Sequence, residues 1–451
     1  MIVMKFGGTS VGSAERIRSL AERVAERIER RPVVVVSALA GVTDMLLRGA
    51  EAALARDPRH AEGLTQVRDR HRAVLAELLP AGAEREALSA TIDALTGELA
   101  ALHTGIFHLG ELTARSRDAV ASMGERLSYP LVAAALTARG VAARAVDARQ
   151  VVITDEDFGR AQPLPGEVER RAAEEVRPLL DRGLVPVLAG FIGATRKGIT
   201  TTLGRGGSDW SAALLGAALG AEEIQVWTDV DGMMTVDPRV VAGAKVIREV
   251  SFEEAAELAY FGAKVLHPAT IRPAVDRAIP VRILNSLRPE APGTVVTAAP
   301  GDARPGEPRA IAFKRGSSVI LISQPRMLMA YGFVARVFEA FDRHRTPVDL
   351  IATSEVSISL TVDDASRLEA LERDLSALGE VTVLRDMAIV SVVGRGFVGQ
   401  AGLAARIFQA LGDVNVVMIS FGASDVNVSF VVAGGDAERA VRRLHGAFFE
   451  G

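Results

Sequence analysis

Five short runs of apolar, mostly β-branched residues punctuate the first 285 positions, and each one stops at a small or polar residue. Ile2-Val3-Met4 leads to Gly7-Gly8, Val33–Val36 to Ser37 and Leu184–Ala189 to Gly190; Ile224–Trp227 leads to Thr228-Asp229 and Val281–Leu284 to Asn285. Runs this short and largely apolar, interrupted only by Gln225 and Arg282, suit strands covered on both faces. Helical patterns such as Ser13–Ile28 and Trp210–Leu219 lie between the runs. Buried strands alternating with helices predict an α/β domain over residues 1–295, built on a mostly parallel sheet between helical layers. Residues 50–110 are helical and charged with no strand signal, which predicts a helical insertion near the substrate side. His103 and His108 within it read as structural histidines rather than ligands.

The second half is organised differently. Pro300 to Pro308 is dense in Pro and Gly and predicts a linker, placed at 296–316. Beyond it the chain repeats itself. Gly332 to Ala340 matches Gly402 to Ala410, and Thr353 to Leu360 matches Ala423 to Phe430, both at one offset and without a gap. Each unit reads strand, loop, helix, strand, strand, so residues 317–385 and 386–447 are expected to be two copies of one small α+β module.

Composition removes several classes of function. There is no Cys, which excludes disulfides, thiolate metal sites and a Cys nucleophile. Lys+Arg number 52 against 56 Asp+Glu, a formal net charge of -4, so no nucleic-acid partner is expected. No apolar stretch reaches the ~20 residues of a membrane helix. The first residues lack the basic region of a signal peptide, and the expected compartment is the cytoplasm.

Phosphate chemistry is suggested by two glycine-rich segments. In Lys5-Phe6-Gly7-Gly8-Thr9-Ser10, paired glycines let backbone N–H groups approach an anion, and Lys5 can reach a phosphate as a point charge. A plain strand-to-helix turn is the alternative. In Thr202-Leu203-Gly204-Arg205-Gly206-Gly207-Ser208-Asp209, three glycines surround an arginine, and Ser208 and Asp209 are expected to cap the helix Trp210–Leu219. An anion site at a helix N-terminus accounts for that combination better than a structural loop does. Glu125-Arg126 reads equally as a site or as a solvated pair. Thr228-Asp229-Val230-Asp231-Gly232 suits a nucleotide or Mg²⁺, with an Asx-turn as the alternative. Gly394 to Gly399 matches GxGxxG, but too little chain follows for a dinucleotide domain, and the repeat already claims the loop.

These segments resemble the aspartate kinases. Lys5–Gly12, Ser37–Asp44, Ser122–Ser128, Thr201–Asp209, Thr228–Val240 and Phe261–Thr270 look like that family's successive signatures, in family order, and the repeat resembles its paired ACT domains. The resemblance implies a three-layer amino-acid-kinase fold followed by two ferredoxin-like ACT domains. It also implies ATP and Mg²⁺ as cofactors, and L-aspartate as the substrate converted to 4-phospho-L-aspartate. Lys5, Phe6, Gly7 and Gly8 would hold the ATP phosphates, and Thr228, Asp229, Met234, Arg239, Lys264 and Val265 the nucleotide. Met234 stands where relatives often carry Tyr. Thr43, Glu125, Arg205 and Ser208 would bind aspartate, with Glu125 facing its ammonium and Arg205 a carboxylate, while Asp209 would orient Lys5. No protein-held metal is implied.

The first module also looks like the effector site of lysine-sensitive members, formed by Met327, Gly332, Phe333, Val334, Val348, Asp349, Ser354 and Val356. Asp349 would face the lysine ammonium. Threonine is the rival effector, and Met329 stands where such relatives often carry His. The second module has Ile419 in the place of Asp349 and is expected to serve dimerisation, giving a homodimer or larger homo-oligomer. The competing readings are another amino-acid kinase, acting on acetylglutamate, glutamate or UMP, and a non-catalytic amino-acid sensor.

Overall fold

The structure is a computed structural model that describes residues 1–262, 266, 268–301, 304–324 and 331–450. The chain divides into two compact units, residues 1–233 with 265–299, and residues 234–264 with 300–451.

In the first unit the strands run in the order Ala143–Val146, Val185–Ala189, Pro32–Val36, Ile2–Phe6, Glu223–Thr228, Val281–Asn285, Thr294–Thr297. All neighbours are parallel except the last pair. The five apolar runs therefore form the centre of the sheet. Ile2–Phe6 and Pro32–Val36 are buried at every position, which explains why their sequences show no alternation. Ile2, Met4, Phe6, Val34 and Val36 pack on one face against the helices Ala14–Ala25, Val42–Leu54 and Ala114–Ala138. Val3, Val33 and Val35 are buried on the other face. Each such side chain contributes roughly 1.5–3 kcal/mol on burial. Phe6 stacks on Trp227 of the neighbouring strand at 5.8 Å, worth about 0.5–1.5 kcal/mol beyond area.

Residues 50–110 are helical, as Val42–Leu54, Glu62–Leu78 and Ala83–Leu109. His103 is buried there, against the His60 ring. A second, small sheet of Ile153–Thr154, Ile192–Thr195 and Thr200–Thr202 has no counterpart in the sequence reading. Its strands are two to four residues long, too short for a period to register.

Helix Ala14–Ala25 is capped by Ser13, whose hydroxyl accepts from Arg16 N. Gly8–Val11 is only a short 3₁₀ turn. The Lys5 motif therefore does not open onto a helix N-terminus.

In the second unit one antiparallel sheet runs Ile351–Thr353, Ser357–Val362, Pro308–Ser323, Glu380–Gly394, Asn427–Ala433, Met418–Phe421. Pro308–Ser323 begins inside the segment read as linker. Its early part pairs with Met387–Gly394, and Ile311 joins the core of Val390, Leu403, Phe430 and Leu444. Its late part, Ile320 and Ile322, joins the core of Phe333, Val337, Leu360 and Leu371. The two modules are therefore not simply consecutive, because residues 308–315 supply a strand to the second before the first begins. The Pro/Gly density that marked a linker stops at Pro308, and proline is tolerated at a strand's first position. Among the described residues, no helix is long and apolar enough to cross a membrane.

Candidate active site

Parallel α/β sheets gather ligands at the carboxyl ends of their strands, and the charged residues of the first unit collect there. Lys5 sits beside Val35 and Val226 in the sheet. Gly7 N donates to Trp227 O at 3.1 Å, which aligns the Lys5-Phe6-Gly7-Gly8 turn with the end of Glu223–Thr228. A Cβ on Gly8 would lie 3.1 Å from Ala38 O, so the turn packs closely against the next strand end and a side chain there would have to push Ala38 back by a few tenths of an ångström.

The second glycine-rich segment lines the site as well. Helix Gly207–Leu219 begins earlier than its sequence suggests, and its N-cap is Gly206, left-handed at φ 72°, with no side-chain cap. Glycine replaces the expected Ser208 and Asp209 caps because that φ excludes most side chains. Both side chains are thereby released. Asp209 Oδ1 lies 2.6 Å from Lys5 Nζ, with the two side chains 14% and 10% exposed. The contact is an ion pair rather than a well-angled hydrogen bond. Ser208 Oγ accepts from Ser37 Oγ at 3.0 Å.

A cavity of about 280 Å³ is lined by Lys5, Thr43, Glu125, Phe191, Arg205, Ser208 and Asp209, together with Gly204, Gly206 and Gly207. Glu125 is fully enclosed in helix Ala114–Ala138. Its Oε1 accepts from Ala38 N at 3.1 Å, while Oε2 has no partner. Burial pushes its carboxyl up to about 8, against the opposing effect of the Ala38 bond. Glu125 and Arg126 are not a solvated pair, since Arg126 forks onto Glu98 with two 2.8 Å bonds. Arg205 is exposed and makes no ion pair among the described residues. The cavity therefore offers one unpartnered buried carboxylate oxygen, on Glu125, beside the Lys5–Asp209 ion pair and the exposed Arg205.

Phe191 was not visible in the sequence. It lines the cavity at φ +67°, a conformation uncommon for an aromatic residue. Its backbone is held by Ser211 Oγ and by Leu203 N. The only hint was Gly190 before it, where a Cβ would lie 2.8 Å from Ser208 Cβ.

The nucleotide residues are less concentrated. Thr228 and Asp229 stand at a strand end on the first unit, with Thr228 Oγ1 donating to Asp229 Oδ1. Asp231 accepts from Asn285 Nδ2 at 2.6 Å and pairs with Arg288, so it is engaged structurally. Met234 and Arg239 belong to the second unit. Arg239 grips Asp237 at the surface. Lys264 and Val265 lie outside the described residues, as does Met327. Among the described residues no cluster of three or more His, Asp or Glu is arranged to hold a metal ion.

In the first module Gly332 begins helix Phe333–Arg343 at φ +77°, and Phe333 shares a core with the half-buried Val348. Val334 and Val356 are exposed. Ser354 Oγ accepts from Val356 N and Ser357 N. Asp349 is not an ordinary surface acid, because its side chain is only 3% exposed.

Residues 1–285 match the amino acid kinase family, and residues 320–373 and 390–448 match the ACT domain. The chain is 41% identical to lysine-sensitive aspartokinase 3 of Escherichia coli, over 100% of this chain and 99% of that one. The chain belongs to the aspartokinase family. Two solved E. coli aspartokinase III structures resemble it at 39% identity. One, in complex with aspartate and ADP, superposes at TM-score 0.85 and covers all of both chains. The other, in complex with lysine and aspartate, superposes at 0.83 over 100% and 99%. The aspartokinase fold, a mostly parallel kinase sheet with C-terminal ACT domains, is the architecture described above.

Proposed function

We propose that this aspartokinase transfers the γ-phosphoryl group of ATP to the side-chain carboxylate of L-aspartate, giving 4-phospho-L-aspartate, and that lysine inhibits it through the first ACT module. The observation carrying the reading is the cavity's charge pattern. The unpartnered Glu125 Oε2 suits an ammonium, the free Arg205 fork suits a carboxylate, and Lys5 suits an anion undergoing transfer. An aspartate molecule carries the first two groups, and the γ-phosphate of ATP is the third. The relatives' complexes with aspartate, ADP and lysine support the same assignment.

The chemistry asks little of an acid or base. A β-carboxylate, with a reference pKa of about 3.9, is ionised at neutral pH. One of its oxygens forms the new bond to phosphorus as the bond to the β,γ-bridging oxygen breaks, and ADP leaves with that electron pair. No proton need move. Lys5 holds negative charge on the transferred group, Asp209 fixes the Lys5 ammonium at 2.6 Å, and backbone N–H groups near Gly207 add partial positive charge. The donor set suits anions rather than a bare metal, so Mg²⁺ would arrive on the nucleotide and neutralise phosphate charge.

On this reading the catalytic domain extends to about residue 295, although residues 234–264 cluster with the second unit, and 308–315 are assigned to the second ACT module. Exposed Ile351, Ile419 and Phe421 on the outer strands of the ACT sheet support a homodimer formed through that sheet. ATP turnover assayed in parallel with aspartate, acetylglutamate and glutamate tests the reading. Turnover with aspartate alone is expected, and preference for either other acceptor overturns it.

A further inference from the structure

We propose that Asp118 is a positioning residue that sets the spacing between Glu125 and Arg205, and with it recognition of the substrate's α-amino-acid end. The inference rests on the aspartate reading of the cavity.

Asp118 lies on helix Ala114–Ala138, seven residues before Glu125 and therefore about two turns away on nearly the same face. It is 2% exposed. Its carboxylate holds two separate chain segments. Oδ2 accepts from Gly159 N at 2.9 Å and from Thr202 N at 3.0 Å, and Oδ1 accepts from Thr202 Oγ1 at 2.6 Å. No cation pairs with it among the described residues, so its charge is spent entirely on these donors. Hydrogen bonds to an ionised acceptor are the strong kind.

Thr202 ends the strand Thr200–Thr202 and stands three residues before Arg205. The two held segments also touch each other. Ala161 N donates to Thr202 O at 3.0 Å, and a Cβ on Gly204 would lie 3.2 Å from Gly159 O. Gly204 and Gly206 both adopt left-handed φ around Arg205, at 75° and 72°. Such a loop has little conformational preference of its own, because glycine populates either sign of φ. Its position is therefore fixed from outside, by the Leu203 N bond to Phe191 O and by Asp118, the buried charged side chain that holds Thr202 at the loop's entrance. One buried carboxylate thus joins the helix bearing the ammonium-binding Glu125 to the loop bearing the carboxylate-binding Arg205. None of the Asp118 bonds is made to Lys5, to its partner Asp209 or to the Thr228 strand end. Loss of Asp118 should therefore weaken aspartate and spare ATP.

The experiment compares wild type, Asp118→Ala, Asp118→Asn and Thr202→Val by steady-state kinetics in both substrates, with thermal melting as the folding control. Asparagine keeps an oxygen for the two backbone donors, and its amide can donate to a rotated Thr202 hydroxyl, so it should rescue. The expected result is a rise in KM for aspartate of at least tenfold for Asp118→Ala and about threefold for Thr202→Val. Asp118→Asn should stay within about threefold of wild type, and KM for ATP should stay within twofold throughout. A purely structural role lowers the active fraction and leaves both KM values unchanged; that outcome, or an equal rise in both, overturns the proposal. If Asp118→Ala does not fold, Thr202→Val decides, and an unchanged KM for aspartate there is equally fatal. Wild type failing to phosphorylate aspartate at all would instead remove the functional reading on which the inference rests.

Discussion

The Tyr260 hydroxyl donates a hydrogen bond to Asp349 Oδ1, so the carboxylate assigned to the effector's ammonium already has a partner. Lys314 Nζ stands 3.9 Å from the same oxygen and 4.8 Å over the Tyr260 ring, although its closer ion pair is with Asp363. Burial first, and the Asp349 bond second, raise the Tyr260 hydroxyl above the usual phenol range, which keeps it a donor. Asp349 Oδ2 is buried without a partner. An incoming ammonium therefore competes with Tyr260 for one oxygen while gaining the other.

Removing the competitor should sharpen inhibition. Tyr260→Phe deletes a hydrogen bond to a charged group, worth about 1.5–3 kcal/mol before water replaces it. Lysine should then inhibit at a concentration roughly three- to tenfold lower, while Asp349→Ala abolishes lysine inhibition. Dose–response curves with lysine and threonine, alone and together, check this. Lysine inhibition that survives Asp349→Ala, or inhibition by threonine alone, sinks the assignment.

Lys5→Ala should lower kcat by about 10²–10³, the usual loss for one preorganised donor at developing charge. The variant also leaves the mostly buried Asp209 without its ion-pair partner, so its melting temperature should fall as well. Turnover is measured under saturating ATP and aspartate on protein shown to be folded. Retention of a tenth of wild-type kcat would remove Lys5 from the transfer step.

Much of the kinase sheet could be read from sequence because Pro32–Val36 and its neighbours are buried on both faces, leaving an unbroken apolar signature. Lys5, Arg205 and Asp209 were legible for another reason, since glycine-rich backbone beside charge has few structural uses. Phe191 and Asp118 were not legible. Each is placed by contacts from remote segments, Ser211 and Leu203 in one case, Gly159 and Thr202 in the other. The same limit hid the shared strand Pro308–Ser323, half of which serves each ACT core. A repeat reports similarity between copies and says nothing of a strand contributed from outside the repeat.

Arg205→Lys should raise KM for aspartate by about tenfold or more and leave KM for ATP nearly unchanged. The guanidinium offers a planar fork to a carboxylate, and lysine offers a single mobile charge. Arg205 has no ion-pair partner among the described residues, so the substitution disturbs no internal contact and folding should be unaffected. Equal effects on both substrates would place Arg205 on the nucleotide instead.

Glu125 predicts a pH dependence with a definite sign. Its carboxyl is pushed up to about 8 in the folded protein from an ordinary 4.5. Between those values the folded state binds more protons than the unfolded state, so this group's contribution to stability falls as pH rises through that window. Binding runs the other way. A substrate ammonium needs the ionised carboxylate, so below pH 8 aspartate must expel a proton from Glu125 to bind. KM for aspartate should therefore fall about tenfold for each unit of rising pH in the range below 8 and level off above it. KM for ATP should lack this trend. Glu125→Gln should bind aspartate weakly at every pH and lose the slope. KM profiles from pH 6 to 9 for both proteins, with calorimetric proton release on aspartate binding, test the assignment. A wild-type KM for aspartate that stays flat across that range would show that Glu125 does not face the ammonium.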